Sequence, residues 1–386
     1  MELIDLLILI ISFLGYKTIF IFICVLSSFL NVYDTSALLL LRKPKNLFQK
    51  IIVSFVRWDN IYFIALAHRG LLFEQEWAFG PGFPYIVRLF TDWIFVSKSL
   101  YNYAFISILL SHLFHLCSIF SLYYLTFKIY QSRDMAIVTS FLYLISPSGI
   151  FLSAGYTETA LSWCIASIIR SNGLLLSVFF LYPTFMYIYQ ILRYPEFGLC
   201  LKMIKFGIYS LIVCAGFFWV QYCAYIEFCW PEKKRDWCFK KIPFIYSFVQ
   251  SYYWNVGFFK YFKVSQIPNF ALAFPAILIS IKSGIHYFLK NNKFRKITRN
   301  LDLYYITQLL LTVVCICVMH VQIFTRMISC LPGIYWWLAD CLLNDRLYSC
   351  SNKFSLKKKK SLYWVKIWIL YGTVQAVLFG TFLPPA

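Results

Sequence analysis

Long apolar runs, separated by basic and polar segments, divide this chain. A run of about 20 apolar residues is long enough for an α-helix to cross a bilayer, whereas the strands of a membrane barrel are shorter and alternate in polarity. The pattern therefore predicts an all-α, polytopic transmembrane bundle of about nine spans, forming a single integral membrane domain over residues 1–386. The runs cover approximately residues 4–31, 101–127, 135–154, 159–190, 204–227, 270–289, 302–323, 327–343 and 362–382.

The composition excludes a soluble globular domain. Hydrophobic residues make up 61% of the chain and charged residues only 13%, whereas a soluble domain is typically about a quarter charged. A formal net charge of +20 would suggest nucleic-acid binding in a soluble protein. Here the basic residues lie between the apolar runs, as the positive-inside rule describes. No nucleic-acid partner is therefore expected.

Two basic clusters predict which loops share a compartment. One cluster lies at 290–299 and the other at 353–360. If both are cytosolic, the long loops 33–100 and 228–268 lie together on the opposite, lumenal face. The first loop is far longer than a usual connection between helices, so we expect it to contain short interfacial helices.

The stretch 57–84 concentrates ionisable side chains within the first of these loops. Loops carry function when a rigid scaffold presents their side chains, so one interpretation is a catalytic or ligand-binding loop. The other is a polar linker whose Trp and Tyr rings anchor at the lipid headgroups. Spacing alone does not decide between them. The ionisable residues are Arg57, Asp59, His68, Arg69, Glu74 and Glu76.

A few polar residues lie inside the apolar runs themselves. Lys17 lies in the first run and Arg170 in the fourth. An ionisable residue at membrane depth is a functional-site candidate, although Lys17 could equally snorkel towards an interface. His112 and His115 share one helix face, and we expect hydrogen-bonded core residues there rather than a ligand set.

Cys229 and Cys238 differ from most of the other cysteines because they bracket a polar segment. They would form a disulfide if this loop faces an oxidising lumen. The sequence contains no CxxC pair and no Cys/His cluster with the spacing of metal ligands, so no metal site is expected.

Eight motifs, in order from the first span to the last, resemble those of the GPI mannosyltransferase 2 family. Each motif alone is weak, but the eight in sequence are specific, and they cover nearly the whole chain. The chain looks like a fungal member. The motifs are R-W-D (57–59), Q-E-W-A-F-G-P-G-F-P (75–84), S-P-S-G-I-F-L-S-A-G-Y-T-E (146–158), R-S-N-G (170–173), I-P-F-I-Y-S-F-V-Q (242–250), Y-W-N-V-G-F (253–258), Q-I-P-N-F (266–270) and H-V-Q-I-F-T-R (320–326).

The resemblance implies a GT-C-type glycosyltransferase of the endoplasmic reticulum membrane. Such an enzyme would add the second mannose, in α1,6 linkage, to a glycosylphosphatidylinositol (GPI) precursor on the lumenal face. The donor would be dolichyl-phosphate mannose, with no cofactor and no metal. The implied partners are the lipid-linked donor, the GPI-precursor acceptor and the membrane; fungal relatives suggest a small accessory membrane protein as well.

The implied reaction also assigns roles to residues. A β-linked donor that gives an α-linked product requires inversion, for which one carboxylate acts as general base. Asp59 is the carboxylate of the family's Trp-Asp motif, and Arg57, Arg170 and Arg326 are the candidates for stabilising the phosphate that leaves. The other expected substrate-binding residues are Trp58, Glu158, Asn172, Gln250, Trp254, Asn255 and Gln322.

One departure from the family pattern lies between Glu158 and Arg170. Only 11 residues, 159–169, intervene, where the family usually carries a helical hairpin. Either this member has lost half of each helix or a segment is missing from the sequence. Two other function classes remain open: a lipid transporter or scramblase with Lys17 and Arg170 on its pathway, and a non-catalytic subunit of a membrane enzyme complex.

Overall fold

The computed structural model describes residues 2–30, 32–157, 173–174, 177–231, 235–289, 301–351 and 360–383. All regular structure within these ranges is helical, which confirms the all-α prediction. The helices are α1 (Leu3–Ser27), α2 (Ser36–Leu41), α3 (Leu47–Phe55), α4 (Asp59–Arg69), α5 (Glu74–Trp77), α6 (Gly82–Ile94), α7 (Leu100–Tyr130), α8 (Arg133–Leu144), α9 (Val178–Arg193), α10 (Phe197–Cys229), α11 (Ile245–Tyr252), α12 (Ile267–Leu289), α13 (Asp302–Cys317), α14 (Gln322–Met327), α15 (Pro332–Ser351) and α16 (Lys360–Gly380).

Five of the described helices, α1, α7, α10, α12 and α16, are long and apolar enough to cross a membrane. A sixth span results if α3 and α4, which meet at a bend of 113°, are counted as one broken span. The expected number of nine is not confirmed. The third apolar run shows why, because α8 ends at Leu144 and residues 145–157 form turns. A hydropathy pattern does not distinguish an apolar buried turn segment from a membrane helix, because both are rich in apolar residues.

The long first loop folds into five short helices, α2 to α6, as expected. Buried apolar residues of α3 and α4 pack with α1, α7 and the end of α16 in one core, which includes Phe20, Phe63, Tyr103 and Phe379. Helix α6 buries one face and exposes apolar side chains such as Trp93 on the other. The loop is therefore part of the bundle and not a surface linker.

The second loop packs on the first. Cys229 and Cys238 form a disulfide with their Cα atoms 5.7 Å apart, which links the end of α10 to a short 3₁₀ turn over Asp236–Phe239. Within that turn Trp237 is fully buried and donates its Nε1 hydrogen to Oε1 of Glu74 at 2.9 Å. Ala78 of the first loop lies in the same apolar cluster. The two long loops thus form one layer.

A buried turn segment, residues 145–157, joins this layer to the long helices. Residues 146–157 are all buried. From α1, Lys17 donates hydrogen bonds to Ser153 Oγ at 2.6 Å and to the Leu152 carbonyl at 3.3 Å. Gly155 has φ +73°, and a Cβ there would lie 2.5 Å from Ser107 Oγ on α7. Only glycine therefore fits this close approach.

Candidate active site

A cavity of about 550 Å³ lies where the two loop regions meet helix α14. One part of its wall is aromatic and apolar, and another carries hydroxyl, amide and charged groups. The volume is that of an ordinary small-molecule site. The lining residues are Trp58, Asp59, Tyr62, Ala78, Phe79, Phe151, Tyr156, Tyr246, Ser247, Gln250, Trp254, Val256, Gly257, Val318, Met319, His320, Gln322, Ile323 and Arg326.

Asp59 and Arg326 form an ion pair in the cavity wall. Nη1 of Arg326 lies 2.8 Å from Oδ2 of Asp59, and the side chains are 13% and 27% exposed. This partial burial matters because charge–charge interactions strengthen away from bulk water. The pair therefore presents a carboxylate and a guanidinium side by side to any occupant of the cavity.

Asp59 reaches the cavity because the chain breaks between α3 and α4. Trp58, the residue that precedes α4, has φ +51°, a left-handed conformation that costs about 1–3 kcal/mol when surrounding structure imposes it. Asn60, which directly follows Asp59, fixes the start of α4, because its Nδ2 group donates to the carbonyls of Phe55 and Ala154. The bend thus turns the first residue of α4 towards α14 and away from the helix bundle.

Arg326 is held from the opposite side by the 145–157 segment. Ser148 Oγ lies 2.8 Å from the Thr325 carbonyl and 3.2 Å from the Arg326 carbonyl. The Cζ atom of Arg326 lies 5.0 Å from the ring centroids of both Phe151 and Tyr156. A guanidinium over an aromatic face is attracted by the ring quadrupole. The segment therefore fixes both the backbone and the side chain of this arginine.

The wall that carries Trp254 is attached to the loop before α14. Phe259 donates its N–H to the Cys317 carbonyl at 2.7 Å, and Nε2 of His320 lies 2.9 Å from the Trp254 carbonyl. The carbonyl can only accept, so Nε2 carries the hydrogen. The imidazole also stacks on Tyr261 with centroids 4.6 Å apart. Burial lowers the pKa of His320 below its ordinary 6.5, against the opposing effect of the Trp254 hydrogen bond.

Six of the residues expected from the sequence line the cavity together: Trp58, Asp59, Gln250, Trp254, Gln322 and Arg326. They come from three separate stretches of the chain, 58–59, 250–254 and 322–326, which the fold brings together. Three others, Glu158, Arg170 and Asn172, lie outside the described residues.

Arg57 and Asn255 are not in the cavity wall. Arg57 turns inward, is 4% exposed, and donates from Nη1 to the Val53 carbonyl at 2.8 Å. Its guanidinium lies over the ring of Phe382, 4.9 Å from the centroid. Asn255 is exposed and has φ +51°, a conformation that Asn tolerates better than most residues. Neither residue lines the cavity, and their expected contact with substrate stays a prediction.

A family match gives the reaction class of this chain. The chain matches the family model described as Mannosyltransferase (PIG-V) over residues 9–165 and 159–386. The chain belongs to the mannosyltransferase (PIG-V) family. It is therefore a glycosyltransferase and a multi-pass membrane protein, and the cavity is its candidate active site. The two matched ranges overlap at 159–165. This is the stretch where the motifs predict a missing segment, and that shortening stays a prediction.

Curated relatives bear out the resemblance in the motifs. The chain is 34% identical to GPI mannosyltransferase 2 of Schizosaccharomyces pombe, over 97% of this chain and 84% of that protein. It is 32% identical to GPI mannosyltransferase 2 of Gibberella zeae, over 97% and 96% of the two chains. The Saccharomyces cerevisiae protein of the same name is 28% identical, over 85% and 86%. No solved structure matches the chain.

Two acidic residues of the first loop, Glu74 and Glu76, stabilise the mannosyltransferase fold outside the cavity. Glu76 is 1% exposed and accepts hydrogen bonds from the Arg69 guanidinium and from the N–H groups of Leu72 and Phe73. Burial raises the pKa of Glu76, but these bonds outweigh burial and lower it below the usual 4.5. Glu74 holds Trp237 of the second loop. Both carboxylates are structural.

Several lining residues were missed in the sequence. Tyr62 lies one helical turn after Asp59 on α4, a spacing that could have predicted it. Phe151 and Tyr156 fall within a quoted family motif, yet nothing in their local pattern indicates a cavity. The sequence contained a signal for His320, since it begins the motif that ends in Arg326.

Within the described part of the chain, no group of three or more His, Cys, Asp or Glu could hold a metal ion; the independence from metal remains a prediction.

Proposed function

We propose that this protein adds the second mannose, in α1,6 linkage, to a GPI precursor, with dolichyl-phosphate mannose as donor, on the lumenal face of the endoplasmic reticulum. The three relatives described above are named GPI mannosyltransferase 2. The observation that carries the proposal is the ion pair of Asp59 and Arg326 in a cavity of about 550 Å³. It supplies the base and the cation that an inverting transfer requires.

The proposed reaction is a single displacement. The acceptor hydroxyl oxygen attacks C1 of mannose, the bond from C1 to the phosphate oxygen breaks, and dolichyl phosphate leaves with that electron pair. Asp59 takes the hydroxyl proton as general base. Its Oδ2 atom stays with Arg326, so Oδ1 is the oxygen that faces the acceptor.

Arg326 acts on the leaving group. The bound donor is a phosphodiester with one negative charge, and the released phosphate monoester gains a second. A guanidinium that faces this developing charge stabilises the transition state more than the bound substrate. Among the described residues that line the cavity, Arg326 is the one permanently charged cation. A single cation suits a phosphodiester better than the pyrophosphate of a nucleotide sugar.

Neutral groups in the rest of the wall suit a sugar. Gln250 and Ser247 lie three residues apart on α11, hence on one helix face, and both line the cavity. Trp58 and Trp254 add aromatic faces, on which sugar rings stack. Amide, hydroxyl and aromatic groups together bind a neutral polyol, and the charged pair binds the reacting atoms. The acceptor mannose therefore has a recognition wall next to the base.

The deciding experiment is a mannosyl-transfer assay in membranes that carry this chain in a host lacking its own enzyme. The substrates are radiolabelled dolichyl-phosphate mannose and a GPI precursor with one mannose, and the product linkage is read by α-mannosidase digestion. We expect α1,6-linked product, formed also in the presence of EDTA. Donor that crosses the membrane without transfer would indicate a transporter. Activity that requires a second catalytic protein, and that survives Asp59→Asn, would indicate a non-catalytic subunit.

A further inference from the structure

We propose that Phe151 and Tyr156 form an aromatic shelf that positions the guanidinium of Arg326 for the leaving phosphate. This inference rests on the proposed function, because only there does Arg326 meet a phosphate. It adds two positioning residues that the sequence motifs did not single out. It also explains why a buried turn segment lies where the third apolar run predicts membrane helix.

The shelf consists of two rings at a right-angle contact under one cation. The Phe151 and Tyr156 centroids lie 5.2 Å apart with an interplanar angle of 74°. Arg326 Cζ lies 5.0 Å from each centroid. Phe151 is 3% exposed and Tyr156 is fully buried. Cation–π attraction is strongest when the partners are removed from water, so this burial makes the contact effective.

The rings are themselves fixed, so the shelf can orient a long and flexible side chain. The Tyr156 hydroxyl donates to the Arg57 carbonyl at 3.0 Å. The Phe379 ring contacts both shelf rings, with centroids 6.3 Å from Phe151 and 6.1 Å from Tyr156. Because Arg57 lies two residues before Asp59, the same ring that supports the cation is also tied to the chain that carries the base.

The shelf restricts where the charge of Arg326 can point. An unsupported arginine samples several rotamers and must lose that freedom when it is ordered around the leaving phosphate. With the guanidinium already placed, one of its N–H groups donates to Asp59, and the guanidinium plane keeps the orientation in which its other N–H groups can bind a phosphate. A lysine ammonium is not planar and would not gain the same orientation. We therefore expect the shelf to act on turnover, where the phosphate charge develops, more than on binding.

The test compares variants that keep or remove each ring. Phe151→Leu and Tyr156→Leu should lower kcat by about 3–30-fold with a smaller change in KM, the range expected from the loss of a cation–π contact. Tyr156→Phe keeps the ring and should stay within about threefold of the parent. Phe120→Leu changes a half-buried ring that packs against a second core cluster and does not line the cavity; it is the control and should leave kcat unchanged.

A double-mutant cycle decides whether the rings act through Arg326. In an Arg326→Lys background, Phe151→Leu should have little further effect, because the planar cation that the shelf supports is gone. Equal losses in both backgrounds would overturn the shelf, as would a loss in Tyr156→Phe as large as that in Tyr156→Leu. If the parent chain transfers no mannose, the proposed function fails and the shelf with it. If the parent is active but the effects of Phe151→Leu and Arg326→Lys are independent of each other, the shelf is refuted and the proposed function stands.

Discussion

Nη1 of Arg326 lies 2.8 Å from Oδ2 of Asp59, across the junction between the first long loop and helix α14. The contact joins the R-W-D motif to the last residue of the H-V-Q-I-F-T-R motif. Each motif alone leaves a structural role open for its charged residue. Their direct pairing places a carboxylate and a guanidinium in one cavity wall, and the catalytic role of the pair stays a proposal.

Replacement of Asp59 by Asn should abolish mannose transfer while the protein still folds. Asn has the size and hydrogen-bonding capacity of Asp but cannot take the acceptor proton, and general-base catalysis is worth about 10²–10⁴-fold in rate. The measurement is kcat, with expression and thermal unfolding as controls. If Asp59 only paired with Arg326, its loss would remove a contact typically worth about 0–1 kcal/mol at a surface. Near-normal turnover would then exclude it as the base.

Replacement of Arg326 by Lys should lower kcat by about 10–100-fold, since a preorganised donor to developing charge is worth up to about 10³-fold and lysine keeps part of the attraction. Arg193→Lys is the matched control. That arginine also lies over an aromatic ring, 4.6 Å from Tyr189, but on α9 and outside the cavity. Equal effects of the two substitutions would show that Arg326 stabilises the fold only.

His320 should make stability fall as the pH drops below 6.5. Burial lowers its pKa in the folded state, so between the lowered value and 6.5 the unfolded chain binds a proton that the folded chain does not. Stability is therefore complete above pH 6.5 and decreases towards acid. In detergent, unfolding temperatures measured from pH 7.5 to 5.5 should fall less steeply for His320→Gln than for the parent. Parallel curves would contradict a neutral, half-buried His320.

Loss of the disulfide between Cys229 and Cys238 should destabilise the second loop. A short cross-link contributes about 2–4 kcal/mol, and this one closes the turn that holds Trp237 against Glu74. Cys229→Ser and Cys238→Ser should lower the unfolding temperature equally, whereas Cys200→Ser, a free cysteine on α10, should not. Alkylation of both sulfurs in the folded protein without prior reduction would contradict the bond.

Orientation is testable by site-directed labelling. Leu72 is 57% exposed in the first loop, and position 293 belongs to a basic cluster outside the described residues. In membranes opened only on the cytosolic side, an impermeant maleimide should reach Lys293→Cys and miss Leu72→Cys, measured above the labelling of the parent chain. The reverse result would place the cavity in the cytosol and exclude the lumenal reaction.

The sequence by itself determined the fold class and the enzyme family. Hydropathy is a property of each segment, so membrane helices such as α1, α7 and α10 could be predicted from the chain alone. The motifs predict Asp59, Gln250, Trp254 and Arg326 as site residues without any geometry, because a family motif is a set of residue types in a fixed order. The two cysteines that bracket a polar segment predicted a disulfide on condition that the loop faces an oxidising lumen, and the structure contains that bond.

Tertiary structure decided which of these residues meet. Arg57 and Asp59 are two positions apart, yet a backbone bend at Trp58 sends one into the core and the other into the cavity. Phe151 lies in an apolar run that predicts membrane helix and Tyr156 lies just beyond that run, yet both belong to a buried turn segment. Local patterns cannot reveal such outcomes, since they depend on contacts between distant segments, and close packing there leaves one arrangement.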